Sequence, residues 1–511
     1  ARADSLVRIC HDQPSSQQKK RRLTIHEEAD LFSPTQSPFS DGSVLHYPCP
    51  PDSRFAWARR TTGARFAISG VTHTLSSKAA VESLCDLLTA PYESCDALIC
   101  TSKAVADMVR TVTGTFADYL ADRFGGRPRL QSRLEVIPLG VNPGRFRPPT
   151  SPERNAERQR RGIADDEIAV LCVGRLSHHA KAHPFPVFHA AQQAAKRTGS
   201  KICLVFAGWS AHPAVAEAYR NGAAQFAPNV RVRFLDGLDP AIRSGIWHAA
   251  DIFVSLPDNI QETFGLVVIE AMASGLPVIG SDWDGYRDLI VDRETGFLVP
   301  TYMVRGATSE TTTRLLFGSL KYDEFLAQCS QATAVDAHAS AERLTRLVRD
   351  AGLRQQFGAA GRQRVLAAFT WERVIRSYEA LWADQLREVR DRNWREPSNR
   401  GPDIYPAPES SFAGYPNTWI VDGDMLVSIP DGDAQLPALL NSPLMNVAPN
   451  TCCRDRAILQ EVLDKCRTAR YLQDIAAELE ARGVTAVAAK ATIAWLLKYG
   501  MLRPHESTDI A

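Results

Sequence analysis

The sequence predicts an α/β protein: two Rossmann-like domains in tandem, the N-terminal one truncated or diverged, then a small, mostly helical, winged-helix-like C-terminal domain. Three observations carry this. Residues 168–300 alternate short apolar runs, at 168–173, 202–206, 230–234, 252–256 and 277–280, with helical segments at 187–196, 213–219, 240–249 and 266–274. Near-continuous apolar strands joined by helical crossovers imply a parallel sheet covered on both faces. A weaker version of the pattern runs from 53 to 141, with strands at 65–71, 97–100 and 134–137 and a helix at 76–88. In the last hundred residues Leu472, Ile475, Ala476 and Leu479 recur at helical spacing and Gly483 interrupts. Val487, Ile493, Leu496 and Leu497 then resume the period.

Each segment follows in order. Residues 1–52 are rich in Ser, Pro, Gln and charge, and are expected to form a flexible or divergent arm; its Lys19-Lys20-Arg21-Arg22 run reads as part of that solvated arm. The first Rossmann-like domain takes 53–148 and the second 149–390, with helices at 339–349, 353–368 and 371–389. A Pro-containing linker spans 391–416 and the accessory domain 417–511. A length of 511 residues suits about three domains. With 44% apolar and 23% charged residues the composition is globular, and a net charge of +1 gives no global reason to expect nucleic acid or an anionic membrane. Eleven cysteines lack metal-ligand spacing, and Cys452-Cys453 are adjacent. Reduced thiols and a cytoplasmic setting, or a peripheral place at a membrane, are expected. No apolar run reaches the roughly 18 residues of a membrane span.

The chemistry concentrates where strands of the second sheet should end, which is where such sheets bind ligands. In the run from Gln261 to Gly275, Glu262 precedes a helix and Glu270 lies inside it; on a continuous helix eight residues would bring both toward one side. Gly265 marks a place for close approach of a ligand to the backbone, and a helix start offers N–H groups to an anion. The loop Gly174-Arg175-Leu176-Ser177-His178-His179-Ala180-Lys181 adds a planar guanidinium and a mobile ammonium at another strand end. Two cations suit a diphosphate leaving group, and two acids suit sugar hydroxyls. That is the chemistry of a nucleotide-sugar site.

Taken in order, these pieces resemble the donor half of the retaining glycosyltransferases of family 4, which have the two-domain GT-B architecture. The resemblance covers about 134–390. It rests on Ile137-Pro138-Leu139-Gly140-Val141-Asn142, Val173-Gly174-Arg175-Leu176 with Lys181, Glu262 to Glu270, Gly275-Leu276-Pro277-Val278-Ile279 and Thr295-Gly296-Phe297-Leu298-Val299. It implies that Gly174, Arg175 and Lys181 hold the donor diphosphate and that Glu270 holds the ribose. Glu262, Thr263, Phe264, Gly265 and Leu266 would meet the transferred sugar or phosphate. His73, in Gly70-Val71-Thr72-His73-Thr74, matches a strand-end histidine facing the sugar, and Thr101-Ser102-Lys103 matches a turn bordering the cleft. The catalytic set is thus His73, Glu262, Arg175 and Lys181. Base selectivity is expected near 234–237. The family's glycine-rich first turn is missing from residues 1–50, which leaves acceptor binding open.

No cofactor and no metal are expected. Asp282-Trp283-Asp284 matches an Asp-x-Asp metal pattern, but it occupies a loop resembling the family's Gly-Gly-x-Pro-Glu turn, with Asp288 at the acidic place, so structural or acceptor-side duty is expected. Pro184 and Pro186 break the helix that would align His179 with His183, beside His178. The C-terminal helix pair has too few bases to neutralise phosphates, with Lys490 alone on its second helix, so a protein partner through 417–511 is expected and no nucleic acid. The functional expectation is a metal-independent, retaining transfer of a sugar from a nucleotide sugar to an acceptor (glycan, lipid-linked or small molecule). The rival is a catalytically degenerate nucleotide-sugar-binding regulator that signals through the C-terminal domain.

Overall fold

The computed structural model describes residues 42–394, 403–404, 406–446, 448 and 451–505. The Lys19–Arg22 run lies outside them. The chain divides into two compact units between residues 405 and 406, inside the stretch read as linker.

The first unit holds two parallel sheets. In the first, β1 (Ser43–Tyr47), β2 (Phe66–Val71), β3 (Ala97–Cys100) and β4 (Arg133–Val136) lie side by side in sequence order. β1 corrects the reading of 1–52 as an arm throughout, since Ser43–Tyr47 pairs in parallel with residues 66–70 of β2, in register from Ser43↔Phe66 to Tyr47↔Gly70. The apolar pattern does not reveal it, because it is only half-buried and sits among polar and Pro residues. Its following turn, Pro48 to Asp52, has no glycine. The room comes from the neighbouring strand instead: a Cβ on Gly70 would lie 2.4 Å from the Pro51 ring. Asp52 then caps the helix Ser53–Thr62.

The second sheet contains β5 (Glu167–Val173), β6 (Lys201–Gly208), β7 (Arg231–Asp236), β8 (Ile252–Ser255), β9 (Val278–Ser281) and β10 (Gly296–Val299), in the order β7-β6-β5-β8-β9-β10. All neighbours are parallel. The chain turns outward in both directions from β5 and β8, so the helices crossing to either side diverge there and leave a crevice beyond the strand ends. Helices cover both faces. Leu171, Phe253, Val268 and Met272 pack on one side, and Val170, Leu204, Val254 and Leu344 on the other.

The helix Trp371–Asp391 corrects the boundary drawn at 149–390. It packs on the first sheet, with Val374 and Leu381 against Val71, Ala97 and Ile99, and Val389 against Ala67 and Cys95. The Gln385 amide, fully buried, donates to Ile68 O at 3.1 Å and Cys95 O at 2.8 Å. Apolar side chains at spacings of three to eight along this helix predict that it is buried. They do not say against which sheet. Between β10 and the helix Ala337–Arg349 lies a segment that the apolar pattern does not predict. It comprises β11 (Thr301–Met303), β12 (Thr333–Val335) and the helices Thr311–Leu316 and Tyr322–Gln331.

The second unit has helices Arg456–Lys465, Leu472–Ala481 and Ala486–Lys498 and a three-stranded antiparallel sheet of β13 (Met425–Ser428), β14 (Arg470–Tyr471) and β15 (Leu502–Pro504). Leu426, Leu459, Leu472, Ile475, Leu479, Ile493 and Leu496 form its core. Val487, expected to continue the helical period inward, is 82% exposed, and Ala489 takes the buried place.

Candidate active site

The loops after β5, β6, β7 and β8 converge at the crevice. Gly174 follows β5 at φ 142°, and its carbonyl is so close to Gly208, at the end of β6, that a Cβ there would lie 2.1 Å from it. Gly237 packs on Gly208 in turn, with a Cβ position 2.8 Å from its Cα. Three strand ends thus close up on glycines and leave the space above them to side chains.

A cavity of about 400 Å³ opens there, and Gly174, Arg175, Trp209, Gly237, Arg243 and Glu270 are among its lining residues. Burial pushes the Glu270 carboxyl up to about 7, against the opposing charges of Arg145 and Arg243. Phe234, placed by the sequence near the base, instead stacks on Phe206 at 5.4 Å. Of the segment 234–237 only Gly237 lines the cavity. Arg145, Trp209, Leu238 and Arg243 also line it and were missed. Trp209 had a signal, since it follows Gly208 as Arg175 follows Gly174.

Beside the cavity, Lys181 Nζ donates to Glu262 Oε2. Burial raises the Glu262 carboxyl, but the Lys181 charge, its hydrogen bond and the backbone N–H groups of Phe264 and Thr263 outweigh that and hold it below the ordinary glutamate value. Those two N–H groups donate to Glu262 Oε1 at 3.4 and 3.3 Å. In this structure they are turned toward the acid of their own loop. The helix begins only at Leu266, which is exposed, and runs to Ala273, so Glu262 is in the loop and Glu270 in the second turn. The two acids therefore do not share one helical face; Glu262 meets Lys181 while Glu270 faces the cavity with Arg243. Gly265 is required by the backbone and by its packing. At φ 101° it starts the helix, and a Cβ there would lie 2.4 Å from the Tyr286 ring. The close neighbour is this buried tyrosine, whose hydroxyl hydrogen-bonds Ser255 at 2.8 Å.

Arg175 is held at its tip: Nη2 donates to Gln261 Oε1 at 3.2 Å and to Ala180 O at 3.3 Å. The Arg175, Lys181, Glu262 and Gln261 loops therefore form one connected group. His73 is not joined to it directly. It is exposed at the end of β2, and its Nε2 lies 2.7 Å from Pro48 O. Its neighbour Thr72 is nearer the crevice: Thr72 Oγ1 accepts from Thr101 N, and Thr101 Oγ1 donates to Thr263 O at 3.4 Å.

The loop Thr101-Ser102-Lys103 borders the second sheet as expected. Ser102 Oγ donates to Asp284 Oδ1 at 3.3 Å, and Lys103 N to Asp288 Oδ2 at 2.7 Å. Asp284 has a left-handed φ of 46°, and burial together with the Glu262 charge pushes its carboxyl up to about 7. Asp282 pairs outward with Arg287 at 2.6 Å, so the two aspartates of the Asp-x-Asp run have different partners. His178, His179 and His183 stack edge to face, and Pro184 caps the helix Phe185–Thr198 directly after them.

Comparison with known proteins meets this geometry at one region. Residues 153–332 match the family described as Glycosyl transferases group 1. That region contains Gly174, Arg175, Lys181, Glu262 and Glu270 and leaves out His73. The D-inositol 3-phosphate glycosyltransferase of Nocardia farcinica (strain IFM 10152) is 32% identical over 198 residues, 38% of this chain and 42% of that protein. The protein of the same name from Corynebacterium diphtheriae (strain ATCC 700971 / NCTC 13129 / Biotype gravis) is 28% identical over 320 residues, 61% of this chain and 65% of its own. The chain thus spans less than two thirds of the length of these curated relatives. Among solved structures, sucrose-phosphate synthase (tll1590) from Thermosynechococcus elongatus aligns over 67% of this chain and 73% of that one, at 22% identity and a TM-score of 0.44.

Proposed function

We propose that this chain transfers a sugar from a nucleotide-sugar donor to an acceptor hydroxyl, without a metal and with retention at the anomeric carbon. The observation that carries the reading is the cavity shared by Arg175 and Glu270 at the ends of β5 and β6, beside the Lys181–Glu262 pair. A nucleoside would fill that cavity with its ribose hydroxyls on Glu270 and its base toward Trp209 and Gly237. The diphosphate would then reach Arg175 and Lys181, whose charges stabilise it as it leaves.

In the reaction the bond between the anomeric carbon and the diphosphate oxygen breaks. The acceptor oxygen bonds to the same carbon from the face the diphosphate leaves, and the acceptor proton passes to a diphosphate oxygen. Glu262 orients the sugar, and with its carboxyl held ionised it also keeps the Lys181 ammonium at the leaving group. The contacts of Thr101, Ser102 and Lys103 close the crevice on the other side and would exclude water, which otherwise hydrolyses the donor.

A panel of nucleotide sugars screened by thermal shift identifies the donor, because a ligand that binds only the folded form raises its melting temperature. Transfer and donor hydrolysis are then measured for the wild type and Glu262→Ala. Turnover that the substitution abolishes supports the transferase; donor binding with no turnover in either protein would support the degenerate regulator instead.

A further inference from the structure

We propose that Tyr322 is a positioning residue that ties closure of the crevice to the aim of Arg175. This rests on the transferase reading, in which Arg175 grips the leaving diphosphate. Tyr322 opens the helix Tyr322–Gln331, in the segment between β10 and the helix Ala337–Arg349, and no sequence motif pointed to it. Its hydroxyl stands between the two sheets. On one side it shares a hydrogen bond of 2.6 Å with Ser76 Oγ, three residues beyond His73 in the loop after β2. On the other it accepts from Gln261 Nε2 at 3.1 Å. Gln261 spends its other amide atom on Arg175, accepting from Nη2 at 3.2 Å. Arg175, Gln261, Tyr322 and Ser76 therefore form an unbroken chain of hydrogen bonds from the phosphate loop of the second sheet to the first sheet.

The second anchor of Arg175 leads to the same helix. Ala180, whose carbonyl accepts from Nη2, is buried in a small apolar cluster with Phe325, Leu326 and Cys329 of that helix. Ile260, next to Gln261, packs on this cluster too. One helix thus holds both acceptors that orient the guanidinium, and its first residue senses whether the loop after β2 is in place. With the crevice open, Ser76 withdraws and the Tyr322 hydroxyl loses the partner that fixes it beside Gln261, so Arg175 is firmly aimed at the diphosphate only when the halves are together. The physical benefit is that the leaving group is stabilised only after water has been shut out.

The test uses the full chain and the donor found by the thermal-shift panel. Tyr322→Phe removes only the hydroxyl, and Ser76→Ala only its partner. Each substitution is expected to lower kcat for transfer by about five- to tenfold, the effect of one lost orienting hydrogen bond. Donor KM should stay within about twofold and the melting temperature unchanged. Because both act through one chain of bonds, the double variant should lose no more than Tyr322→Phe alone. The proposal is overturned by a Tyr322→Phe protein with wild-type kcat, by losses that multiply in the double variant, or by a loss that falls on KM alone. If the wild type transfers sugar and Tyr322→Phe is unimpaired, the positioning role fails and the transferase reading stands. If the wild type transfers from no nucleotide sugar, both are overturned.

Discussion

Replacing Glu270 with glutamine should make the protein more stable above neutral pH and worse at binding a nucleotide. The glutamate carboxyl is held near 7 rather than 4.5, mainly by burial among apolar neighbours at the cavity wall. In the unfolded chain it ionises near 4.5, so folding carries no penalty below that value. As pH rises from 4.5 through about 7 the unfolded chain gains a charge that the folded one resists, and stability falls. The gap of about 2.5 units corresponds to about 3 kcal/mol once both forms are ionised. Glutamine keeps the shape and has no proton to lose. Glu270→Gln is therefore expected to melt about 3–4 °C above wild type at pH 8.5, taking about 1 °C per kcal/mol for a folding unit of this size. At pH 4.5 the two should melt together. Thermal unfolding followed by circular dichroism at both pH values reads this, and binding of a nucleoside diphosphate, measured by calorimetry, should weaken in the same variant. Equal melting at pH 8.5, or a less stable variant there, would refute the account of a carboxylate kept at an energetic cost for its ligand.

Three further outcomes follow from other contacts. Lys181→Met leaves Glu262 buried with only its backbone donors, so burial should lift its carboxyl above the ordinary value; a loss of about 2–3 kcal/mol is expected at pH 8, most of it recovered at pH 5, and melting curves at the two pH values check it. Gly265→Ala forces a left-handed φ on alanine and drives its methyl into Tyr286; a cost of at least about 3 kcal/mol in denaturant unfolding is expected, and combined with Tyr286→Ala the loss should be smaller than the sum of the two single losses. Gln385→Leu strips the donor from two buried carbonyls, Ile68 O and Cys95 O, and should cost about 2–4 kcal/mol. Hydrogen exchange should then rise along β2 and the helix Trp371–Asp391, leaving β5 to β10 unchanged.

The second sheet was legible because its signals are local. A strand buried on both faces must be apolar throughout, so β5, β6 and β8 announce themselves, and the helix Pro240–Ala249 has its observed bounds in the sequence. Arg175, Lys181 and Glu262 could be placed near one another from the sequence because each lies on a loop that follows a strand of this sheet, and the parallel topology brings those strand ends to one edge. β1 was not found, since a half-buried edge strand needs little apolar patterning when a neighbour supplies the hydrogen bonds. The segment from β11 to β12 was missed for a related reason: its short helices are stabilised by contact with Ala180 and Ile260, far away in sequence.

Residue type and order alone therefore determined the layered architecture, the crevice at the ends of β5 and β8, and the charged groups gathered there. Only the tertiary structure decided what each group faces. It turned the amides of Thr263 and Phe264 toward Glu262, set Tyr286 against Gly265, sent the helix Trp371–Asp391 to the first sheet and placed Tyr322 between Gln261 and Ser76. The physical reason is range: periodicity reports the burial of a side chain within its own element, whereas a hydrogen-bond partner is fixed by how separate elements pack.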